Sequence, residues 1–96
     1  MKLVWLPRAV ADLQHVRAYI AEHDPHAARI VAQKIRTLVA RLKARPSLGR
    51  PTEIDEIRKI SVPGLPYFIP YRVREGRIEI LRVFHTAQDQ PKTWEG

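Results

Sequence analysis

The chain has 96 residues, which fits one domain, and 45% of them are hydrophobic and 28% charged, as in ordinary globular proteins. It contains no cysteine, which excludes disulfides and thiolate chemistry and suits a reducing cytosol. Seventeen lysine and arginine residues against ten acidic ones give a net charge of +7 and a pI of about 10.4. This charge favours nucleic acid or an acidic protein as a partner, and the plainer interpretation is a solvated basic surface without one.

The first half of the sequence predicts a strand followed by a helical hairpin. The short apolar run "KLVWL" predicts the strand, and Pro7 suits the first turn of a helix. Asp24 is placed to cap a second helix that begins at Pro25 and ends before Pro46. Apolar residues recur every three or four positions in both helices: Ala9, Leu13, Val16 and Ile20, then Val31, Ile35, Leu38 and Leu42.

The second half predicts three strands in an antiparallel meander. The segments "IRKISV", "YFIPYRV" and "RIEILRVFH" are separated by the turns "PGLP" and "REG". Pro70 cannot donate to a sheet ladder, so we expect its strand at an edge or bulged there. The order β-α-α-β-β-β predicts an α+β fold for residues 1–96: a two-layer sandwich with the helical hairpin packed on a mostly antiparallel four-stranded sheet. The first strand then pairs at an open edge of this sheet.

Spacing in the sequence supports neither a metal site nor a nucleophilic site. His23 and His26 flank a turn, and no further ligand is spaced to join them. No glycine-rich phosphate loop is present, and Ser47 and Ser61 have no partners at the spacing of a known triad motif. We therefore expect no metal, no cofactor and no nucleophilic triad. The short N-terminal apolar run is broken by Pro7, so we do not expect a signal peptide, and no stretch approaches the roughly 18 apolar residues of a membrane span.

Three arginines lie inside three different predicted strands, namely Arg58, Arg72 and Arg82. An arginine within a strand is unusual unless one face of the sheet meets solvent or a partner. The sequence does not fix the register between strands. The three side chains therefore either converge on a basic patch or extend separately to water with their stems along the sheet.

His85 ends the last predicted strand, and Asp89 follows four residues later. Unbroken alternation along that strand puts His85 on the face of Glu79, and Arg82 on the opposite face with Ile78. His85 is then either a catalytic acid–base group or a hydrogen-bonding residue that orders the junction with the tail, for example through Asp89.

Four segments, in this order, resemble one family over nearly the whole chain: "A..DL..V..YI", "A...V..KI..L...L...P..G", "IRKI.VPG.PYFIPYRV" and "IEILRVFH...D". They resemble the ParE/RelE superfamily of toxins from bacterial type II toxin–antitoxin modules. The resemblance implies a small cytoplasmic toxin that a cognate acidic antitoxin, ParD-like or of another class, neutralises in a hetero-oligomer. Such an antitoxin usually folds a flexible C-terminal segment onto its toxin.

Two branches of this superfamily differ in their target. RelE-like toxins are ribosome-dependent mRNA endonucleases, with a basic residue opening the strand equivalent to "YFIPYRV", another past the last strand, and often a tyrosine after it. Here Phe68 takes the first position, Thr86, Ala87 and Gln88 follow the last strand, and no tyrosine comes after Tyr71.

ParE-like toxins end their last strand in "V.H...D", as this chain does, and are associated with DNA gyrase without chemistry of their own. We therefore expect a gyrase inhibitor whose target-facing patch comprises Arg58, Arg72, Arg82, His85 and Asp89. One alternative is a ribosome-dependent mRNA endonuclease that uses His85 as its acid–base group. The other is a non-toxic accessory module that only binds its antitoxin and DNA.

Overall fold

The computed structural model of the chain describes residues 1–87, which form two helices, a short 3-10 turn and six strands. The helices are α1 (Pro7–Ala21) and α2 (Pro25–Ala40), and the 3-10 turn Arg41–Lys43 extends α2. The strands are β1 (Lys2–Trp5), β2 (Arg50–Pro51), β3 (Ile57–Ser61), β4 (Tyr67–Arg74), β5 (Arg77–Ile80) and β6 (Phe84–His85).

Both helices begin where the sequence predicts and bury the predicted stripes. Pro7 and Pro25 are the first residues of α1 and α2, and the Asp24 carboxylate accepts the Ala27 N–H at 3.0 Å. Leu13 and Leu38 are both buried in the core. Neither helix in the described residues is long and apolar enough to cross a membrane.

The strands form one sheet in the order β1-β5-β4-β3-β2, with β6 also paired to β4. All pairings are antiparallel except that of β1, which lies at the edge and runs parallel to β5. The predicted α+β sandwich is confirmed, but its strand count differs. Arg50–Pro51, which lies between the second helix and the segment "IRKISV", pairs with β3, and the predicted last strand is divided into β5 and β6.

Pro70 explains why the last strand is divided. β4 lies inside the sheet, where Pro70 accepts the Leu81 N–H at 3.0 Å but has no N–H to return to the neighbouring strand. Tyr71 pairs with Ile80 and Phe68 pairs with Phe84, so residues 81–83 lie opposite only residues 69–70. A bulge is therefore present opposite Pro70, but the extra residue lies in the neighbouring strand and not in the strand of Pro70, where we expected it.

The extra residue changes which face the end of the chain occupies. Residues paired across a ladder point to the same face of the sheet. His85 pairs with Tyr67, which lies on the helix-facing side with Tyr71. The expectation that His85 shares a face with Glu79 was wrong, because it assumed unbroken alternation through residues 81–83.

Asp12, in the middle of α1, holds this bulge in place. Its carboxylate accepts the backbone N–H of Val83 at 2.9 Å and the Nε and Nη2 groups of Arg82 at 2.7 and 3.1 Å. A backbone N–H that leaves its ladder needs another acceptor, and Asp12 supplies it. The first helix is thereby tied to the sheet at the point where the last strand is interrupted.

Tyr71 anchors the loop after α2 to the helix-facing side of the sheet. Its buried hydroxyl donates to the Pro46 carbonyl at 2.7 Å and accepts the Gly49 N–H at 2.8 Å. Burial raises the pKa of the Tyr71 phenol, so it remains a donor at neutral pH. A Cβ at residue 49 would lie 2.6 Å from the Tyr71 ring, so this contact requires glycine.

Glu79 is buried on the opposite face, at 5% exposure, and is neutralised by arginines. It accepts hydrogen bonds from Arg72 Nε at 2.6 Å and from Arg77 Nε at 3.1 Å. The hydrogen bond from Arg72 lowers the pKa of Glu79, with burial opposing and the charges of Arg72, Arg77 and Arg74 reinforcing the shift.

Replacing Glu79 with glutamine should destabilise the fold at neutral pH and change its acid sensitivity. Because its folded pKa lies below the ordinary 4.5, ionised Glu79 stabilises the fold fully above that value. That contribution is lost as pH falls through the lowered folded pKa. Urea unfolding across pH 3–7 should therefore show wild type and Glu79→Gln converging below about pH 4.5. The exposed control Glu75→Gln should stay near wild type, and a constant gap for Glu79→Gln would contradict the linkage.

Replacing Asp12 with asparagine should lower the free energy of unfolding by about 1–3 kcal/mol, because Arg82 and the Val83 N–H lose a charged acceptor. Glu53→Gln, an exposed substitution with the same charge change, is the control and should move the urea midpoint little. Equal midpoints for the two variants would show that Asp12 does not support the bulge.

Candidate functional site

A hollow of about 460 Å³ lies between α1 and the end of the last strand, and we refer to it as the His85 hollow. It exists because the bulge brings residues 82–85 beside the α1 positions that face the sheet. Its lining consists of two histidines, two tyrosines, two valines and the Asp12–Arg82 ion pair. The residues are Asp12, His15, Val16, Tyr19, Tyr67, Arg82, Val83 and His85.

His85 acts as a hydrogen-bond acceptor in this hollow. Its Nδ1 accepts the Ala87 N–H at 3.1 Å, so the neutral ring carries its proton on Nε2. Its ring meets the Tyr67 ring edge-on, with centroids 5.5 Å apart. These contacts support the interpretation that His85 orders the chain after β6. Asp89, the expected partner, lies outside the described residues.

The phenol of Tyr67 stays protonated in the hollow. Burial raises the pKa of Tyr67, and the nearby Tyr19 raises it further. Tyr19 is itself largely exposed on α1. The hollow therefore offers two hydroxyl groups and two imidazoles, while the guanidinium of Arg82 is paired with Asp12.

The three predicted strand arginines do not form one patch. Arg58 lies opposite Tyr71 on the helix-facing side, where its Nη1 donates to the Gly49 carbonyl at 2.7 Å. Arg72 lies opposite Glu79 on the other face. Arg82 is in the bulge, bonded to Asp12. Their separation follows from the register, which puts positions 58 and 72 on opposite faces.

Of the predicted target-facing residues, the structure thus brings together Arg82 and His85 only, in the His85 hollow. Arg58 and Arg72 are bonded elsewhere, and Asp89 is outside the described residues. Whether any of them faces a target stays a prediction. Among residues 1–87, no group of three or more histidine and acidic residues could hold a metal ion.

A second cluster, which we did not predict from the sequence, lies on the sheet face away from both helices, and we name this face the open sheet face. Lys2 pairs with Arg77, and Arg77 pairs with Arg74, so three cationic residues form a row across three strands. Part of this cluster could have been predicted from the sequence. Arg72 and Arg74 are two residues apart and so share a face, and the Glu75–Gly76 turn puts Arg74 opposite Arg77. The pairing of Lys2 with Arg77 depends on the long-range register of β1.

Comparison with known proteins identifies the family. Residues 3–90 match the family described as ParE toxin of type II toxin-antitoxin system, parDE. The Y4kP protein of Sinorhizobium fredii is 38% identical over 91 residues, covering 95% of this chain and 94% of that protein. "Toxin RelE2" of Caulobacter vibrioides is 36% identical over 87 residues, covering 91% of this chain and 97% of its own.

A solved structure agrees with the sequence matches. The chain from "Chromosomal ParDE TA system from P. aeruginosa" aligns with a TM-score of 0.80 and 32% identity, covering 88% of this chain and 95% of that one. The resemblance drawn from the four sequence segments is thus confirmed. This chain belongs to the ParE toxin family of type II toxin–antitoxin systems, within the ParE/RelE superfamily.

Proposed function

We propose that this toxin inhibits DNA gyrase and that a cognate acidic antitoxin neutralises it. The observation that carries the gyrase proposal is the environment of Phe68. The ribonuclease branch has a basic residue at this position of β4, whereas here the Phe68 ring packs against Phe84 with centroids 5.4 Å apart. An aromatic ring in that place cannot stabilise negative charge developing on a scissile phosphate.

The His85 hollow also fits a role without catalysis. RNA cleavage by 2′-OH attack requires an acid–base group and cations beside the phosphate. His85 Nδ1 is engaged with the Ala87 N–H, and the Arg82 charge is balanced by Asp12. Thr86 stands where the ribonuclease branch places a basic residue.

A ribosome-dependent mRNA endonuclease is the second candidate. The name "Toxin RelE2" of the Caulobacter relative and the tyrosines beside His85 favour it. An accessory module without toxicity, which only binds its antitoxin and DNA, is the third. The three are separated by activity assays on the purified chain.

The proposed antitoxin site is a groove of about 520 Å³ between α2 and the β3–β4 turn. Its lining includes the apolar residues Ile30, Leu38 and Val62 and the cationic residues Lys34 and Arg41. Such a groove suits an amphipathic acidic segment that orders on binding. Two observations support this partner: the similar chain from P. aeruginosa is part of a ParDE system, and the net charge here is +7.

We expect the acidic product of the neighbouring gene to bind this chain tightly in calorimetry, with a large negative heat-capacity change from apolar burial. Lys34→Glu/Arg41→Glu should slow association by about tenfold or more, because like charges replace the complementary ones. Arg36→Glu/Lys43→Glu makes the same charge change on exposed residues outside the groove lining and should slow it much less. No detectable binding would contradict the antitoxin proposal.

The purified chain should inhibit gyrase supercoiling or accumulate cleaved DNA, and should not cut mRNA on ribosomes. His85→Ala should lower stability by about 1 kcal/mol and weaken inhibition with it, since the Ala87 N–H loses its acceptor. His85→Asn keeps a hydrogen-bond acceptor, so it should retain more inhibition than His85→Ala. A ribosome-dependent nuclease activity that disappears in His85→Asn while the melting temperature holds would make this chain a ribonuclease.

A further inference from the structure

The open sheet face is strongly cationic along its strands. Residues paired in register on this face include six basic side chains and one acid, Glu79. The basic set is Lys2, Arg50, Lys59, Arg72, Arg74 and Arg77. On the helix-facing side of the same ladders, the basic residue is Arg58.

Like charges stand directly opposite one another in the row Lys2–Arg77–Arg74. Two spacings between strands of about 4.8 Å make this row roughly 10 Å long. Like charges opposite one another on neighbouring strands destabilise a sheet, and nearby acids offset this repulsion only in part. Glu79 accepts from Arg77 and Arg72, and Glu56 lies 3.4 Å from Arg74. The Arg74 and Arg77 side chains remain 48% and 44% exposed, and Lys2 is exposed as well.

We propose that the open sheet face binds the phosphate backbone of duplex DNA, with Lys2, Arg74 and Arg77 as the contacting residues. The inference rests on the proposed gyrase target and deepens it, because the toxin would then contact the DNA held by gyrase as well as the enzyme. Each strand of duplex DNA carries one negative charge per 3.4 Å or so of axis, so a row of roughly 10 Å spans about three phosphate charges on one strand. Contacts to phosphates alone carry no base information, so the binding is independent of sequence.

Duplex DNA fits this face better than single-stranded nucleic acid or an acidic polypeptide does. Single strands are usually held by exposed aromatic rings on which bases stack. The aromatic residues that the register assigns to this face are Phe68 and Phe84, whose rings pack on each other, and Phe84 is buried. Within the row, cations neighbour one another directly, so an acidic polypeptide would bury little apolar surface there.

Fluorescence anisotropy with a labelled 30-base-pair duplex and the purified full chain, over a range of salt, tests the proposal without gyrase. The variant Lys2→Gln/Arg74→Gln removes two row cations and leaves both arginines that bind Glu79. It should weaken binding by about tenfold or more at 0.1 M salt and flatten the log–log salt slope by about 1.8, at about 0.9 per lost phosphate contact. Arg77→Gln, with its melting temperature checked, should weaken binding in the same direction.

The charge-matched control Arg17→Gln/Arg29→Gln lies on exposed helix positions and should bind nearly as wild type does. Equal weakening by the two double variants would overturn the proposal, since net charge alone would then explain binding. Tighter binding of single-stranded RNA, or of poly-glutamate, through Lys2 and Arg74 would also overturn it. If gyrase inhibition persists while duplex binding is absent, the open sheet face is excluded and the gyrase proposal stands. If the open sheet face binds duplex DNA but the chain does not inhibit gyrase, the DNA-binding proposal stands and the gyrase proposal fails.

Discussion

The lack of an N–H on Pro70 determines the geometry of one side of this toxin. In an interior strand each backbone N–H that points to a neighbouring strand donates to an acceptor there, and a proline leaves one such acceptor without its donor. The neighbouring strand responds by carrying an extra residue between Ile80 and Phe84. That bulge releases the Val83 N–H, which Asp12 accepts, and the same carboxylate binds Arg82. The His85 hollow between helix and sheet is the result.

The two faces of the sheet differ in how completely their charged groups are paired. On the helix-facing side, polar groups are bonded to defined protein partners, as Arg58 is to the Gly49 carbonyl and the Tyr71 hydroxyl is to Pro46 and Gly49. On the open sheet face, the single buried acid Glu79 serves two arginines, and a cationic excess remains. Charges on the first side stabilise the fold, whereas the excess on the second side is electrostatically unfavourable until an anion approaches.

The sequence predicts local structure well here because local rules decide it. Helix starts follow from Pro7, Pro25 and the Asp24 cap, and helix faces follow from apolar periodicity. Register is a different matter, because a slip of one residue exchanges the two faces of a strand. The bulge makes such a slip, so the predicted face of His85 was wrong although the conflict at Pro70 was recognised. The Asp12–Arg82 pair spans 70 residues, and no local pattern signals it.

The segments that revealed the family describe its scaffold more than its target. In the "P..G" segment, Pro46 and Gly49 both bind the Tyr71 hydroxyl, and in the "DL" segment Asp12 supports the bulge. Such residues would serve a gyrase inhibitor and a ribonuclease equally, since both need the same sandwich. Discrimination between targets therefore depends on side chains whose identity the scaffold does not dictate. In this chain we propose that those are Phe68, at the position that the ribonuclease branch fills with a cation, and the cationic row of the open sheet face.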